Sequence, residues 1–305
     1  MSRPVTGLRP FQPRRPRLNL SSFLHSAYAP PVVADHASLV PRWLMYGNDR
    51  YSDCVWASIG HSIQSMTYYG GRVYTEPSVD DLLAAYSAVT GFHKRRPTTD
   101  NGTVLADGLN HWRKVGVGTD RIRAFAFVDK RLAVYTAAID LFGFLNVGID
   151  LPGYAWSRFE RHRHHWTLPA PSESQAIETR HAVHVAGYDL NTRRFQLVTW
   201  GRLITCDWKF LHRYAREAWV VLSDDWLDAW GRSPRGLDLH ALSTEFAALT
   251  GEADPLPARR PVPRDHDRTL WHDVEGWAGR EHRGENADVA AALRTWADVT
   301  GLSER

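Results

Sequence analysis

Cysteine is nearly absent from this chain, with only Cys54 and Cys206 among 305 residues, so a disulfide framework is excluded as the stabilising device. Long apolar runs are missing as well. A membrane-crossing helix needs about eighteen consecutive apolar residues, and no such run occurs, so no membrane contact is expected. The opening Met1-Ser2-Arg3-Pro4 has no apolar stretch behind its basic residues, so a conventional secretory signal is not expected. Charge of one sign is scarce too: a net +3 is too small to point to a nucleic-acid partner. Lysine contributes only Lys94, Lys114, Lys130 and Lys209, and the arginine that takes its place reflects coding bias rather than function.

What is present suffices for a core. With 43% hydrophobic residues, the chain has room for one main domain and an appendage. Residues 1–25 read as a basic, Pro-containing arm, with Arg14, Arg15 and Arg17 around Pro13 and Pro16; such an arm is expected to be disordered or draped over a neighbour. Residues 26–228 read as the main domain. Residues 229–305 read as a linker (231–236), a Pro-rich spacer (253–263) and helices at 238–250, 269–279 and 286–300. The stripe Val289, Leu293 and Trp296 is too small for an independent core, so the last helix is expected to dock on the main domain or on another chain. The arm and this extension are therefore the expected places for a protein partner.

The main domain divides by pattern into a helical half and a sheet half. Apolar residues at helical spacing run from Val55 to Met66, from Ser78 (a capping residue) to Gly91, from Leu105 to Val115 and from Leu132 to Phe142. Strand patterns follow at 143–150, 182–188, 194–200 and 218–222 and predict an antiparallel sheet. The class is α+β, with a ligand groove expected between the halves.

Cys54 closes the polar loop Gly47-Asn48-Asp49-Arg50-Tyr51-Ser52-Asp53 and opens the first helix. A lone thiol beside an apolar helix is first of all a small buried hydrophobe. Here it lies in the first helical turn, where unpaired N–H groups and the helix dipole favour an anion. Asn48, six residues earlier, is close enough to aim an amide at an oxyanion forming over the sulfur. His181 opens the apolar strand His181-Ala182-Val183-His184-Val185-Ala186-Gly187-Tyr188, where a base facing the thiol across a groove would stand.

In order and wording this set resembles the papain-like cysteine peptidases. Asn48 stands where that family has the amide of the oxyanion hole, usually Gln; Trp56-Ala57 follow the nucleophile; Asn101-Gly102-Thr103 is similar to the substrate-cleft segment; His181-Ala182-Val183 to the catalytic-His strand; and Leu197-Val198-Thr199-Trp200-Gly201 to the Asn-Ser-Trp-Gly strand. The resemblance covers about residues 30 to 225. It implies a papain-like α+β fold and a thiol hydrolase acting on a peptide or protein, with Cys54 as nucleophile, His181 as base, Asn48 in the oxyanion hole, and Trp56, Gly102, Thr103 and Trp200 along the substrate cleft. No cofactor is implied. The wording Tyr46-Gly47-Asn48-Asp49-Arg50 and Glu217-Ala218-Trp219-Val220 also resembles a group of papain-like proteins from actinobacteria and their phages. That likeness implies a cytoplasmic or virion setting.

The sequence departs from the family at Val198, where the His-orienting Asn would stand; an aliphatic side chain cannot accept a hydrogen bond. Thr199 or Asp207 are the candidates to take over that role. Losing the orienting group weakens such a pair, so an alternative stays open: a papain-like structural or binding protein without turnover, as in a phage virion. His162, His164 and His165 are crowded by Arg158, Arg161 and Arg163 and lack a completing Cys or carboxylate, so no metal is expected there. His61 and His111 are expected to be structural or solvated, Cys206 a buried thiol, and most of the thirteen Trp core or interface anchors.

Overall fold

The computed structural model describes residues 5–13, 17–22, 24, 28–69 and 74–223. The expected linker, spacer and helices beyond residue 228 lie outside these residues.

The helical half is built around α1 (Cys54–Tyr69), every residue of which from Cys54 to Thr67 is buried. A helix buried all round must satisfy its own polar side chains. Ser62 and Thr67 bond back to the carbonyls of Ser58 and Ile63, and Ser58 reaches Asn146 on the sheet at 2.7 Å. α2 (Val79–Thr90) begins at Ser78, whose hydroxyl accepts the Asp81 N–H, and stops at Gly91 in the left-handed region (φ 74°). α3 (Leu105–Lys114) completes this half around Trp56, Ile59, Leu82, Tyr86 and Trp112.

The sheet half has eight strands: β1 (Val33–Asp35), β2 (Ala124–Phe127), β3 (Leu145–Pro152), β4 (His165–Trp166), β5 (Ile177–Asp189), β6 (Arg194–Thr199), β7 (Arg202–Asp207) and β8 (Ala215–Leu222). Their order is β2-β8-β3-β5-β6-β7-β4, with β1 added beside β5. All pairs are antiparallel except β4 with β7. Three helices, α4 (Leu132–Phe142), α5 (Gly153–Glu160) and α6 (Trp208–Tyr214), accompany the sheet, and its core gathers Tyr135, Phe142, Val147, Trp166, Phe195, Cys206 and Phe210.

β5 is longer than its apolar stretch suggests, because residues 177–180 are largely exposed yet pair with Leu151 and Asp150 of β3. α1 packs on β5 and places its first residue beside the middle of that strand. Among the described residues no helix is long and apolar enough to cross a membrane.

Candidate active site

Three local choices of chain build the site. The loop Tyr46–Asp53 turns with positive φ at Tyr46 (56°) and Gly47 (92°) and delivers Cys54 as the first residue of α1. The carbonyl of Asp53 accepts the amides of Trp56 and Ala57, which starts the helix just below the sulfur. On the sheet side, β6 and β7 are joined by Trp200 and Gly201 alone, both with positive φ (46° and 66°), as a tight two-residue hairpin requires. That turn presses the Trp200 indole flat on the His181 ring, with centroids 4.3 Å apart and planes 17° apart. Thr199, the last residue of β6, sets its Oγ1 2.7 Å from His181 Nε2. The other ring nitrogen, Nδ1, is buried without a hydrogen-bond partner.

The backbone amide of Ala182, the residue after His181, is directed at the Cys54 sulfur, so the first turn of α1 lies beside the strand that carries the histidine. Val198 is buried, and its strand position pairs with His184, not His181. Asp207 is engaged elsewhere, 3.2 Å from His165 and 3.9 Å from Arg194. Of the two candidates for orienting the imidazole, the structure thus brings only Thr199 to the ring. Asn48 is buried in the loop that precedes Cys54, but its Nδ2 donates to the Tyr51 carbonyl and to Asp53 Oδ1, each at 3.1 Å. Both amide hydrogens are therefore held within the loop. Trp56 is wholly buried and donates to Thr103 Oγ1 at 3.0 Å, so it supports the cleft wall from behind.

The cleft is filled by the chain itself. Of the arm expected to be disordered or draped over a neighbour, residues 5–11 run through the groove of their own chain. Val5 N donates to the Asn48 carbonyl (3.0 Å) and its oxygen accepts from Trp200 Nε1 (3.2 Å). Gly7 N donates to Cys54 Sγ at 3.2 Å, Gly7 O accepts from Thr103 N at 2.9 Å, and Arg9 N donates to Thr103 O at 2.9 Å. Leu8 thereby forms a parallel bridge to Thr103, and Phe11 stacks on Phe127. Only glycine fits at position 7. A Cβ there would lie 1.9 Å from the Ser52 carbonyl, and one on Gly102 would lie 1.8 Å from Gly7 O.

Burial under this strap decides the protonation states. Desolvation pushes the Cys54 thiol up to about 12, outweighing the amides of Ala182, Gly7 and Val55 that favour the thiolate. The same cause lowers His181 to about 3, with a further push from His61. Asp53, fully buried, is raised well above the carboxylate range by desolvation, against the Asn48 hydrogen bond. With these shifts the Cys54 thiol and the His181 imidazole are both neutral near pH 7.

His165 bonds Thr205, while His162 and His164 face Arg202. Among the described residues no group of three His, Cys, Asp or Glu is arranged to hold a metal.

The architecture has a counterpart among solved structures. Over 73% of this chain and 97% of the other, it superposes on xylellain, a cysteine protease from Xylella fastidiosa, with a TM-score of 0.57 at 14% identity. The chain has the papain-like cysteine protease fold. A Carica candamarcensis cysteine protease, solved in complex with E-64, matches at a TM-score of 0.44 and 12% identity over 63% of this chain and 99% of that one. No family model matches the sequence, and no curated protein does.

Sequence reasoning missed the strap. A signal was present in Val5-Thr6-Gly7-Leu8, a short apolar alternation broken by a glycine, but an arm rich in Pro and Arg hid it.

Proposed function

We propose that this protein is a thiol hydrolase of peptide amides, kept latent by its own residues 5–11. The observation that carries the reading is the Ala182 amide, next to His181, directed at the Cys54 sulfur, with Thr199 bonded to His181 Nε2, inside a groove already holding an extended peptide segment. When the strap leaves, water reaches the sulfur, the desolvation that raises the thiol falls away, and the helix N-terminus favours the thiolate. The thiolate attacks the carbonyl carbon while His181 Nδ1 holds the proton and returns it to the leaving amine. For Nδ1 to accept that proton, the neutral ring must carry its hydrogen on Nε2, which then donates to Thr199 Oγ1. A hydroxyl both donates and accepts, so it fixes this tautomer less firmly than an amide oxygen would. The Cys54 N–H and the Asn48 amide, once turned from Asp53, are the donors for the oxyanion.

The strap is not itself a substrate in this pose. It turns an N–H toward the sulfur, not a carbonyl carbon, so no bond of it is placed for attack. The test is alkylation by iodoacetamide read by intact mass, on the native chain and on Gly7→Leu, whose side chain cannot seat. Selective labelling of Cys54 over Cys206 in Gly7→Leu, with new hydrolysis of peptide amides, is the expected result. Equal labelling of both cysteines in the folded variant would sink the reading.

A second reading rests on the neutral pair and the occupied Asn48 amide: a papain-like protein that binds without turnover, for example in a virion. It requires that Cys54→Ala keep the biological activity.

A further inference from the structure

The segment Arg158-Phe159-Glu160-Arg161-His162-Arg163-His164-His165-Trp166 carries three arginines and three histidines against one carboxylate, and none of them takes part in the hydrolase reading. Its chain is folded so that two of the rings meet. α5 ends at Glu160, and the amides of His162 and Arg163 return to the carbonyls of Phe159 (3.0 Å) and Arg158 (2.9 Å). That turn holds His162 in the left-handed region (φ 57°), where a residue with a Cβ rarely sits. The pairing of β4 with β7 then sets His164 at the sheet edge, its carbonyl accepting from Thr205 N at 3.0 Å. β7 brings Arg202 to both rings, with Nη1 3.3 Å from His164 Nε2 and 3.5 Å from His162 Nδ1. A guanidinium only donates, so both imidazoles meet it as neutral acceptors. His164 Nδ1 is buried without a hydrogen-bond partner. Two acids nearby are turned elsewhere: Glu173 is 2.6 Å from Arg158, and Asp207 is 3.2 Å from His165. What this corner is short of is negative charge.

We propose that Arg202, His162 and His164 form a binding site for a phosphoryl dianion, free phosphate or a phosphate monoester. The site stands apart from the hydrolase reading and needs no turnover at Cys54. Its donors surround a point rather than line an edge. The two rings lie 5.9 Å apart with planes 79° apart. A planar carboxylate accepts in its own plane and aligns with one ring at most, while tetrahedral oxygens face both rings and the guanidinium at once. Charge matches as well as shape. Burial first, then Arg202 and His162, keep the proton off His164. A dianion between them offsets both repulsions and turns each ring from an acceptor into a donor. The second ionisation of a phosphate, at about 6, falls beside the ordinary imidazole value of about 6.5, so dianion and imidazolium coexist close to neutrality. Phe159 backs the site, 5.7 Å from the His164 ring and 4.7 Å from that of Trp200. Arg161 and Arg163, exposed on the same turn, add attraction at longer range.

The test follows the ring-proton NMR signals of His162 and His164 through a pH titration of the full chain, in chloride, acetate, sulfate and inorganic phosphate at one ionic strength. The two signals are assigned with His162→Gln and His164→Gln. Sulfate and phosphate are expected to raise the His164 pKa by about one unit over its value in chloride, the mark of tenfold tighter binding to the protonated ring. Acetate should leave it where chloride does, and Arg202→Gln should abolish the rise. An equal rise in acetate would overturn the site, because any anion would then serve. A rise undiminished in Arg202→Gln would overturn it as well. Should Arg202→Gln not fold, calorimetry with inorganic phosphate compares the native chain with the double variant His162→Gln, His164→Gln, and equal binding by the two overturns the proposal. A short phosphoserine peptide, with its serine form as the blank, separates the sources: tighter binding than inorganic phosphate supports the site with a peptide-borne phosphoryl group as its ligand, and equal binding supports it with the free anion. No bond is made or broken in any arm, so the outcome is independent of whether Cys54 turns over a peptide.

Discussion

Cys54 and Cys206 are alike in burial and differ in what covers them. Both are fully buried, and desolvation raises both thiols. They belong to different cores: Cys54 to the one around α1, Cys206 to the one beneath the sheet. Cys206 lies in β7, in register with Phe195 of β6 and Trp166 of β4, so its cover is a regular hydrogen-bonded ladder. Exposing it means taking the sheet apart. The cover of Cys54 is residues 5–9, a segment outside any helix or strand, held by a handful of hydrogen bonds. Segments of that kind open at a fraction of the global unfolding free energy. Burial alone therefore does not separate a packing thiol from a latent nucleophile; what does is whether the cover can leave while the fold stays.

The contrast can be broken in several ways. With peptide-amide hydrolysis measured in the Gly7→Leu background, Cys54→Ala should remove turnover by a factor on the order of 10⁵, whereas Cys206→Ala should leave it unchanged. Acid should act on the Cys54 side. His61 and His181 are held at about 4 and about 3 by burial, and His184, packed against His61, is also lowered. The unfolded chain takes up these protons first, so stability is present above about pH 6.5 and lost as pH falls toward those values, by roughly 3 kcal/mol at pH 4 for each of His61 and His181. Denaturant titrations at pH 7 and pH 4 check the sign.

Glu217 runs the other way. Its carboxyl, near 7 when folded, costs stability as pH rises from about 4.5 to 7, so Glu217→Gln should flatten that part of the profile. Gly7→Leu should raise the labelling rate of Cys54 about a hundredfold, the equivalent of about 3 kcal/mol of strap seating, and leave Cys206 unlabelled. Thr199→Val keeps the shape and removes the hydroxyl at His181 Nε2; activity should fall about tenfold, with the pH profile shifted and KM little changed, a split that a general loss of folding would not give. Cys206→Ala should cost about 1 kcal/mol in the same denaturant titration and change no reactivity.

Much of the fold was legible. Ser78 and Gly91 mark the two ends of α2 because a hydroxyl cap and a left-handed stop are local chemistry. The short elements were not. Ala124–Phe127 is apolar at every position and suits a helix as well as a strand until β8 pairs with it. Trp208–Tyr214 is too short to show a helical period, and the exposed start of β5 carries no burial pattern at all. At the candidate site, motif order singled out Cys54, His181, Gly102 and Trp200, and the structure places Gly7 against Cys54 and Gly102 and stacks Trp200 on His181. The choice of Thr199 over Asp207 could not, since spacing leaves both within reach and only the β6–β7 hairpin turns one toward the ring.

The sequence by itself determined the α+β division, the placement of Cys54 at a helix start and of His181 in a strand, because these follow from periodicity, caps and turn residues within a few positions of each other. Tertiary structure alone decided that residues 5–11 lie in the groove, that Cys54 and His181 are neutral, and that Glu217 Oε1 is buried without a hydrogen-bond partner. Those depend on contacts between residues as much as 200 positions apart, and on the water those contacts exclude, neither of which leaves a local pattern in the chain.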